Sequence, residues 1–273
     1  MPGTAEASVL ARGAGWMARD FVCNSGPTDR AFEERHAWVS IAVVLSGTFT
    51  YGNEFGSILL TPGSLLLGQV GSCFTCGHEH GAGDRCLSFH FEPGLFENVA
   101  AATGARTMNF GRNSLPAHRS LTPLVARALL AVDGGAAPAS FEELSLDLAA
   151  AALSEGIARK PASATNKRDE RRVAGVARHM EENFAQPCAL TDLAGLAGLS
   201  PYHFLRVFRA TTGVTPHQHL LRVRLRAAAV SLARTDAPVT DIALASGFDD
   251  LSNFIRSFRA EYGVAPSYYR RQR

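Results

Sequence analysis

The chain has 273 residues, 46% hydrophobic and 19% charged, a balance that excludes a disordered protein and leaves room for two domains with buried cores. No uninterrupted apolar run reaches the length of a membrane span, and the N-terminal MPGTAEASVLARGAGWMARD has no cationic segment leading into an apolar one. Neither a membrane partner nor a secretion signal is therefore expected, and the expected location is the cytoplasm. The net charge of +2 is segregated: residues 1–166 hold 11 Lys+Arg against 15 Asp+Glu, and residues 167–273 hold 16 against 10. Only the C-terminal part is suited to a polyanion.

Residues 38 to 93 read as short strands. WVSIAVVLSGTFTYG, SILLTPGSLLLG and CLSFHFEPG are apolar or alternating runs cut by Gly and Pro, which favours a barrel or jelly roll. From 94 to 160 the period becomes helical, in LTPLVARALLAVDG and SFEELSLDLAAAALSEGIARK. Ser140 with Glu143 suggests a capping-box start for the second of these. PASATNKR (161–168) reads as an interdomain linker, and the chain from 169 onward reads as helices broken at Gly and Pro.

Within the strand region, GSCFTCGHEHGAGDRCLSFHF places Cys73, Cys76, His78, His80 and Cys86 close together. These ligand types suit zinc, provided Gly77 lets the chain turn, since residues of different parity leave a strand on opposite faces. Ordinary packing explains the same residues about as well, and a redox thiol is a further, weaker alternative. The odd number of cysteines, Cys23 and Cys188 included, argues against disulfide stapling; those two read as buried small hydrophobes.

Two C-terminal segments repeat each other. LAGLAGLSPYHFLRVFRATTGVTP starts at Leu193, and IALASGFDDLSNFIRSFRAEYGVAP starts at Ile242. Gly198 and Leu199 match Gly247 and Phe248. Phe204, Arg206, Phe208, Arg209, Gly213 and Pro216 match Phe254, Arg256, Phe258, Arg259, Gly263 and Pro266. Each copy has the parts of a helix-turn-helix: a glycine suited to φ > 0, an apolar plug, then a helix opened by Ser200-Pro201 or by Asp249-Asp250. The paired phenylalanines belong to the core. The opposite face carries Ser200, Tyr202, His203, Arg206 and Arg209 in one copy and Ser252, Asn253, Arg256 and Arg259 in the other, chemistry suited to base edges and phosphates. HQHLLRVRLRAAAVSLARTD lies between them. Some 18 helical residues span roughly 27 Å, close to the ~34 Å between successive major-groove faces. Its Arg222, Arg224 and Arg226 are candidates for phosphate contact or ion pairs with Asp.

The Gly-hydrophobic turns, the LRVFR and IRSFR segments and the terminal GVAPSYYR (Gly263 to Arg270) resemble the AraC/XylS family of bacterial regulators over residues 170–273. That resemblance implies an α+β protein with two domains. An N-terminal cupin-like β-barrel with helices at about 116–160 would occupy 1–160, and an all-α double helix-turn-helix domain would occupy 169–273. Double-stranded promoter DNA, a small-molecule effector, a second copy of the chain and RNA polymerase are the implied partners. No catalysis is required. A metal-dependent cupin enzyme fused to a DNA-binding domain, resting on His78, His80 and Glu79 or Glu92, is the alternative; a purely architectural DNA protein would leave the first 160 residues without a task.

Overall fold

The computed structural model of the chain describes residues 5–78, 83–105, 107–134, 137–156 and 166–271. Strands β1 (Ala5–Gly13), β2 (Trp16–Cys23), β4 (Val39–Gly47), β7 (Leu65–Gly68), β9 (Asp84–Phe91) and β10 (Ser114–Leu115) form one sheet in the order β1-β2-β9-β4-β7-β10. A second sheet, β3-β8-β5-β6, contains β3 (Phe32–Arg35), β5 (Phe49–Asn53), β6 (Gly56–Leu60) and β8 (Cys73–Gly77). Neighbouring strands pair antiparallel throughout. The cupin-like barrel is thus two sheets closed over one another, with Ala42, Val44 and Leu66 of the first meeting Phe49, Tyr51 and Leu60 of the second.

The period of two along each strand sets the whole half. Odd-numbered residues of β4 and β9 (Val39, Ile41, Val43, Leu87, Phe89, Phe91) point outward into a core shared with three helices. These are α1 (Pro93–Thr103), α2 (Thr122–Gly134) and α3 (Pro138–Gly156). Strand structure begins at Ala5, well before the expected 38. Strand β1 is exposed along most of its length and β2 carries Arg19 and Asp20, so neither shows a clean apolar alternation. Helix α3 begins two residues before Ser140, whose backbone N–H already donates to the Ala137 carbonyl, so the expected capping box is not its start.

Of the expected linker, residues 161–165 lie outside the described residues. Asn166 is the N-cap of α4 (Lys167–Glu182), accepting from the Asp169 backbone N–H at 2.9 Å, so Lys167 and Arg168 are already helical. Six further helices follow among the described residues: α5 (Leu190–Leu196), α6 (Pro201–Thr212), α7 (Pro216–Arg234), α8 (Val239–Ala245), α9 (Leu251–Tyr262) and α10 (Pro266–Arg271). Helices α4 to α6 close on Phe204 and Phe208, and α8 to α10 close on Phe254 and Phe258, with α7 contributing to both cores.

The two halves share side chains. Leu59 of β6 belongs to the first helical core, and Ala126 of α2 belongs to the second. The opposite side of α2 puts Val125, Ala128 and Ala131 into the barrel core. Glu261 of α9 accepts from Thr122 (2.6 Å) and from Arg222 (3.3 Å), and it stands 3.7 Å from Arg119. One helix of the N-terminal half is therefore a structural member of both domains.

Candidate functional sites: an exposed reading face and a barrel cavity

In each helix-turn-helix the turn is built as its residues require. Gly198 and Gly247 have φ of +62° and +80°, and Leu199 and Phe248 pack into the adjoining cores. A side chain at either glycine would face the left-handed region's steric penalty. Ser200 accepts from the His203 backbone N–H (3.4 Å) with Pro201 opening α6. Asp250 accepts from both Ser252 and Asn253 backbone N–H groups (2.9 and 3.1 Å) to open α9.

With the phenylalanines buried, the opposite faces are turned outward. Tyr202 is 79% exposed, Arg206 and Arg209 are exposed, and His203 is half-buried. On α9, Ser252, Asn253, Arg256 and Arg259 are all exposed, and Arg256 donates to the Asn253 side-chain oxygen at 3.1 Å. Every expected reading residue thus stands on the solvent face, although Ser200 also holds the helix start. Helix α7, opened by a capping box of Thr215 and Gln218, has 19 residues, roughly 28 Å of rigid spacer between the two units.

The arginines of α7 are not free for phosphate. Arg222 is buried, donating to the Ala117 carbonyl (2.5 Å) and to Glu261; Arg226 is buried against Glu181 (3.0 Å); Arg224 donates to the carbonyls of Phe184 and Gln186. Their partners are glutamates and backbone rather than aspartates. Residues four apart share a helix face, so Arg222 and Arg226 lie together on the side that meets the barrel. His219, one turn before Arg222, is fully buried; burial first, then the charges of Arg226 and Arg222, pushes its pKa down to about 3.

Between the sheets lies a cavity of about 480 Å³. It is lined by the inward parity of four strands: Met17, Arg19, Phe21 and Cys23 of β2; Ser40 and Ala42 of β4; Phe74 and Cys76 of β8; Asp84, Cys86, Ser88 and His90 of β9. His36 and Trp38 close one side. The lining mixes Arg19, Asp84, Ser88 and the histidines with apolar side chains such as Met17, Phe21 and Phe74. Burial pushes the pKa of His36 and of His90 down to about 4, so both are neutral, and it raises the thiols of Cys76 and Cys86. Arg19 lies over the Phe21 ring at 4.9 Å, and its Nε is buried without a hydrogen-bond partner.

The expected metal cluster is rearranged. Phe74, Cys76 and His78 face inward together, so Cys73 has the opposite parity and is exposed, outside the cavity. His80 and Glu79 lie outside the described residues. In place of Cys73, strand pairing brings in two residues that the local spacing did not suggest. Cys23, which pairs with Asp84 across β2 and β9, converges with His78 and Asp84 so that their donor atoms lie within 4.8 Å of one another. His78 Nε2 is 2.5 Å from Asp84 Oδ1, and Cys86 Sγ donates to Asp84 Oδ2 at 3.3 Å. The alternation Asp84, Cys86, Ser88, His90 was the available signal: four polar residues on one face of a strand whose other face, after Arg85, is Leu87, Phe89 and Phe91.

A strand-built cavity domain joined to paired helix-turn-helix units defines a two-domain DNA-binding transcription regulator with a ligand-binding half. Residues 22–153 match the AraC-like ligand binding domain and residues 193–272 match a helix-turn-helix domain. The chain belongs to the AraC/XylS family. It is 39% identical over 94 residues to the transposon Tn10 TetD protein of Escherichia coli, covering 34% of this chain and 68% of that one. It is 34% identical over 137 residues to the transcriptional activator NphR of a Rhodococcus species, covering 50% of this chain and 40% of that one. A probable AraC family regulator of Rhodopseudomonas palustris is similar in structure: 31% identity, 37% of this chain and 95% of that one, TM-score 0.35. Against NphR and against the regulator LumQ of Photobacterium leiognathi, the match spans less than half of the relative's length. No helix among the described residues is long and apolar enough to cross a membrane.

Proposed function

We propose that the protein binds promoter DNA by laying α6 and α9 into successive major grooves, under the control of an effector held in the barrel cavity. The observation that carries this reading is the division of arginines. Those of the spacer helix are bonded inward to protein, while Arg206, Arg209, Arg256 and Arg259 stand outward at matched positions of the two repeats. Tyr202, His203 and Arg206, and Ser252, Asn253 and Arg256, occupy the first two turns of their helices, the part that reaches base edges. Arg209 and Arg259, a turn further on, suit phosphates.

For the effector, the cavity supports a small organic anion with an apolar body. Arg19 offers a buried, unpartnered N–H in a chamber whose histidines are neutral, beside the rings of Phe21, Phe74 and Trp38. Helix α2, packed in both cores, provides the coupling: a ligand that favours one seating of α2 biases the placement of α9. The reading includes no turnover of that ligand. It extends to activation, as the name of NphR supports, with RNA polymerase and a second copy of the chain as partners. Since α2 is covered on two sides, the outward face of α3 (Glu143, Leu146, Asp147) is the part of the helical pair left for that copy.

Selection of genomic fragments by the purified full chain tests the proposal. Enrichment of sites with two half-sites about one helical turn apart, ~10 bp, is the expected result. Binding without any shared sequence would overturn it.

A further inference from the structure

We propose that the barrel binds a thiophilic divalent cation of the zinc class on Cys23, His78 and Asp84. One donor comes from the end of β2, one from just beyond β8 and one from the start of β9, so the cluster exists only where the two sheets meet. The three donor atoms lie within 4.8 Å of one another. A tetrahedral zinc with bonds of 2.0–2.3 Å needs donors about 3.3–3.8 Å apart, so closing on an ion takes movements of the order of a side-chain adjustment. Cys23 and His78 are buried and the Asp84 side chain is 8% exposed. The carboxylate of Asp84 is already oriented by His78 and Cys86, so it is held in place beside Cys23 where a cation would sit. The mix of sulfur, nitrogen and oxygen donors selects against magnesium and calcium, which take oxygen.

Binding replaces a proton with the ion. The Cys23 thiol proton leaves to solvent as the thiolate ligates, His78 ligates as the neutral imidazole through its unprotonated nitrogen, and no electron moves. Cys86, bonded to Asp84, is the neighbouring thiol; the fourth position opens toward the cavity. The site is also one residue from the contact line with the reading domain. Arg85 points away from the cavity, pairing with Asp20 (2.9 Å) and with Asp133 of α2 (3.0 Å), and Asp133 pairs with Arg234 of α7 (3.2 Å). An ion that draws in Asp84 therefore acts on a strand tied to the spacer helix.

The test uses the full chain, purified anaerobically with no affinity-tag metal and titrated with Co²⁺, and it needs no DNA, so it stands apart from the promoter reading. One Co²⁺ per chain with a thiolate-to-cobalt charge-transfer band, displaced by Zn²⁺, is expected. Cys23→Ser should abolish the band and Asp84→Asn should weaken binding at least ~10-fold, while Cys73→Ala leaves both unchanged. Thermal melts without metal establish that each variant is folded, and His78→Asn substitutes for any that is not. Absence of stoichiometric cobalt overturns the proposal, as does a band that survives Cys23→Ser and disappears with Cys73→Ala.

Discussion

Helix α6 starts with Ser200 and Pro201, and α9 starts with Asp249 and Asp250, although the two units share their glycine turns, their phenylalanine pairs and their outward arginines. The buried parts match because both solve the same packing problem. The helix starts differ because they face solvent, where no core restrains them. The difference has an electrostatic consequence. A carboxylate at the start of α9 compensates the positive end of the helix dipole from within the protein, whereas the neutral Ser200 leaves that end of α6 available to a phosphate. In the proposed promoter complex the first unit is therefore expected to grip phosphate more strongly, and the second to rely more on Asn253 and on Arg256, which donates to Asn253.

The largest way to separate the regions is acid. His219 in the first unit and His36 and His90 in the barrel are neutral in the fold, with pKa values about 3 and about 4, below the ordinary 6.5. A depressed folded-state pKa means that the unfolded chain binds protons first. Their stabilising contribution is present above pH 6.5 and is lost as the pH falls toward 4 in the barrel and toward 3 in the reader. Glu181, raised by burial, opposes part of this loss beside His219. Melting followed by circular dichroism should show the barrel failing at higher pH than the helical domain; simultaneous loss would contradict the assignment.

Next in size is the contact between halves. Glu261→Ala removes the carboxylate that accepts from Thr122 and from the buried Arg222, and breaking a buried pair costs about 3–5 kcal/mol. A loss of unfolding free energy under about 1 kcal/mol in denaturant titrations would show the network to be solvated. Arg206→Ala and Arg256→Ala should each weaken selected DNA by about 1–3 kcal/mol if they read bases, measured by mobility shift. Arg209→Ala should instead lower the salt slope by about one. The caps come last: Asp250→Ala and Ser200→Ala should each cost about 1 kcal/mol of stability. Only the first should also raise DNA affinity at low salt, and equal behaviour would erase the proposed asymmetry.

The reading domain was legible because its information is local. A repeat near 50 residues, Phe204 and Phe208 four apart, and Gly198 before a Ser-Pro start can all be read without knowing what lies across the fold. The same locality misled at Arg222 and Arg226: their spacing marks a helix face, but only docking on Ala117 and Glu261 reveals that the face is covered. In the barrel the CxxC pattern drew in Cys73, which strand parity sends outward, and gave no weight to Cys23 and Asp84. Those two meet because β2 pairs with β9, setting Cys23 opposite Asp84 from a distant part of the sequence.

Composition, periodicity and the repeat determined by themselves that this chain is a strand-built domain followed by two helix-turn-helix units with outward arginines. Each depends on propensity and patterning within a turn or a strand. Which thiols share a cavity, which arginines are free and which helix belongs to both cores were decided by tertiary structure alone. Strand register and domain docking bring together residues whose separation along the chain carries no signal of their contact.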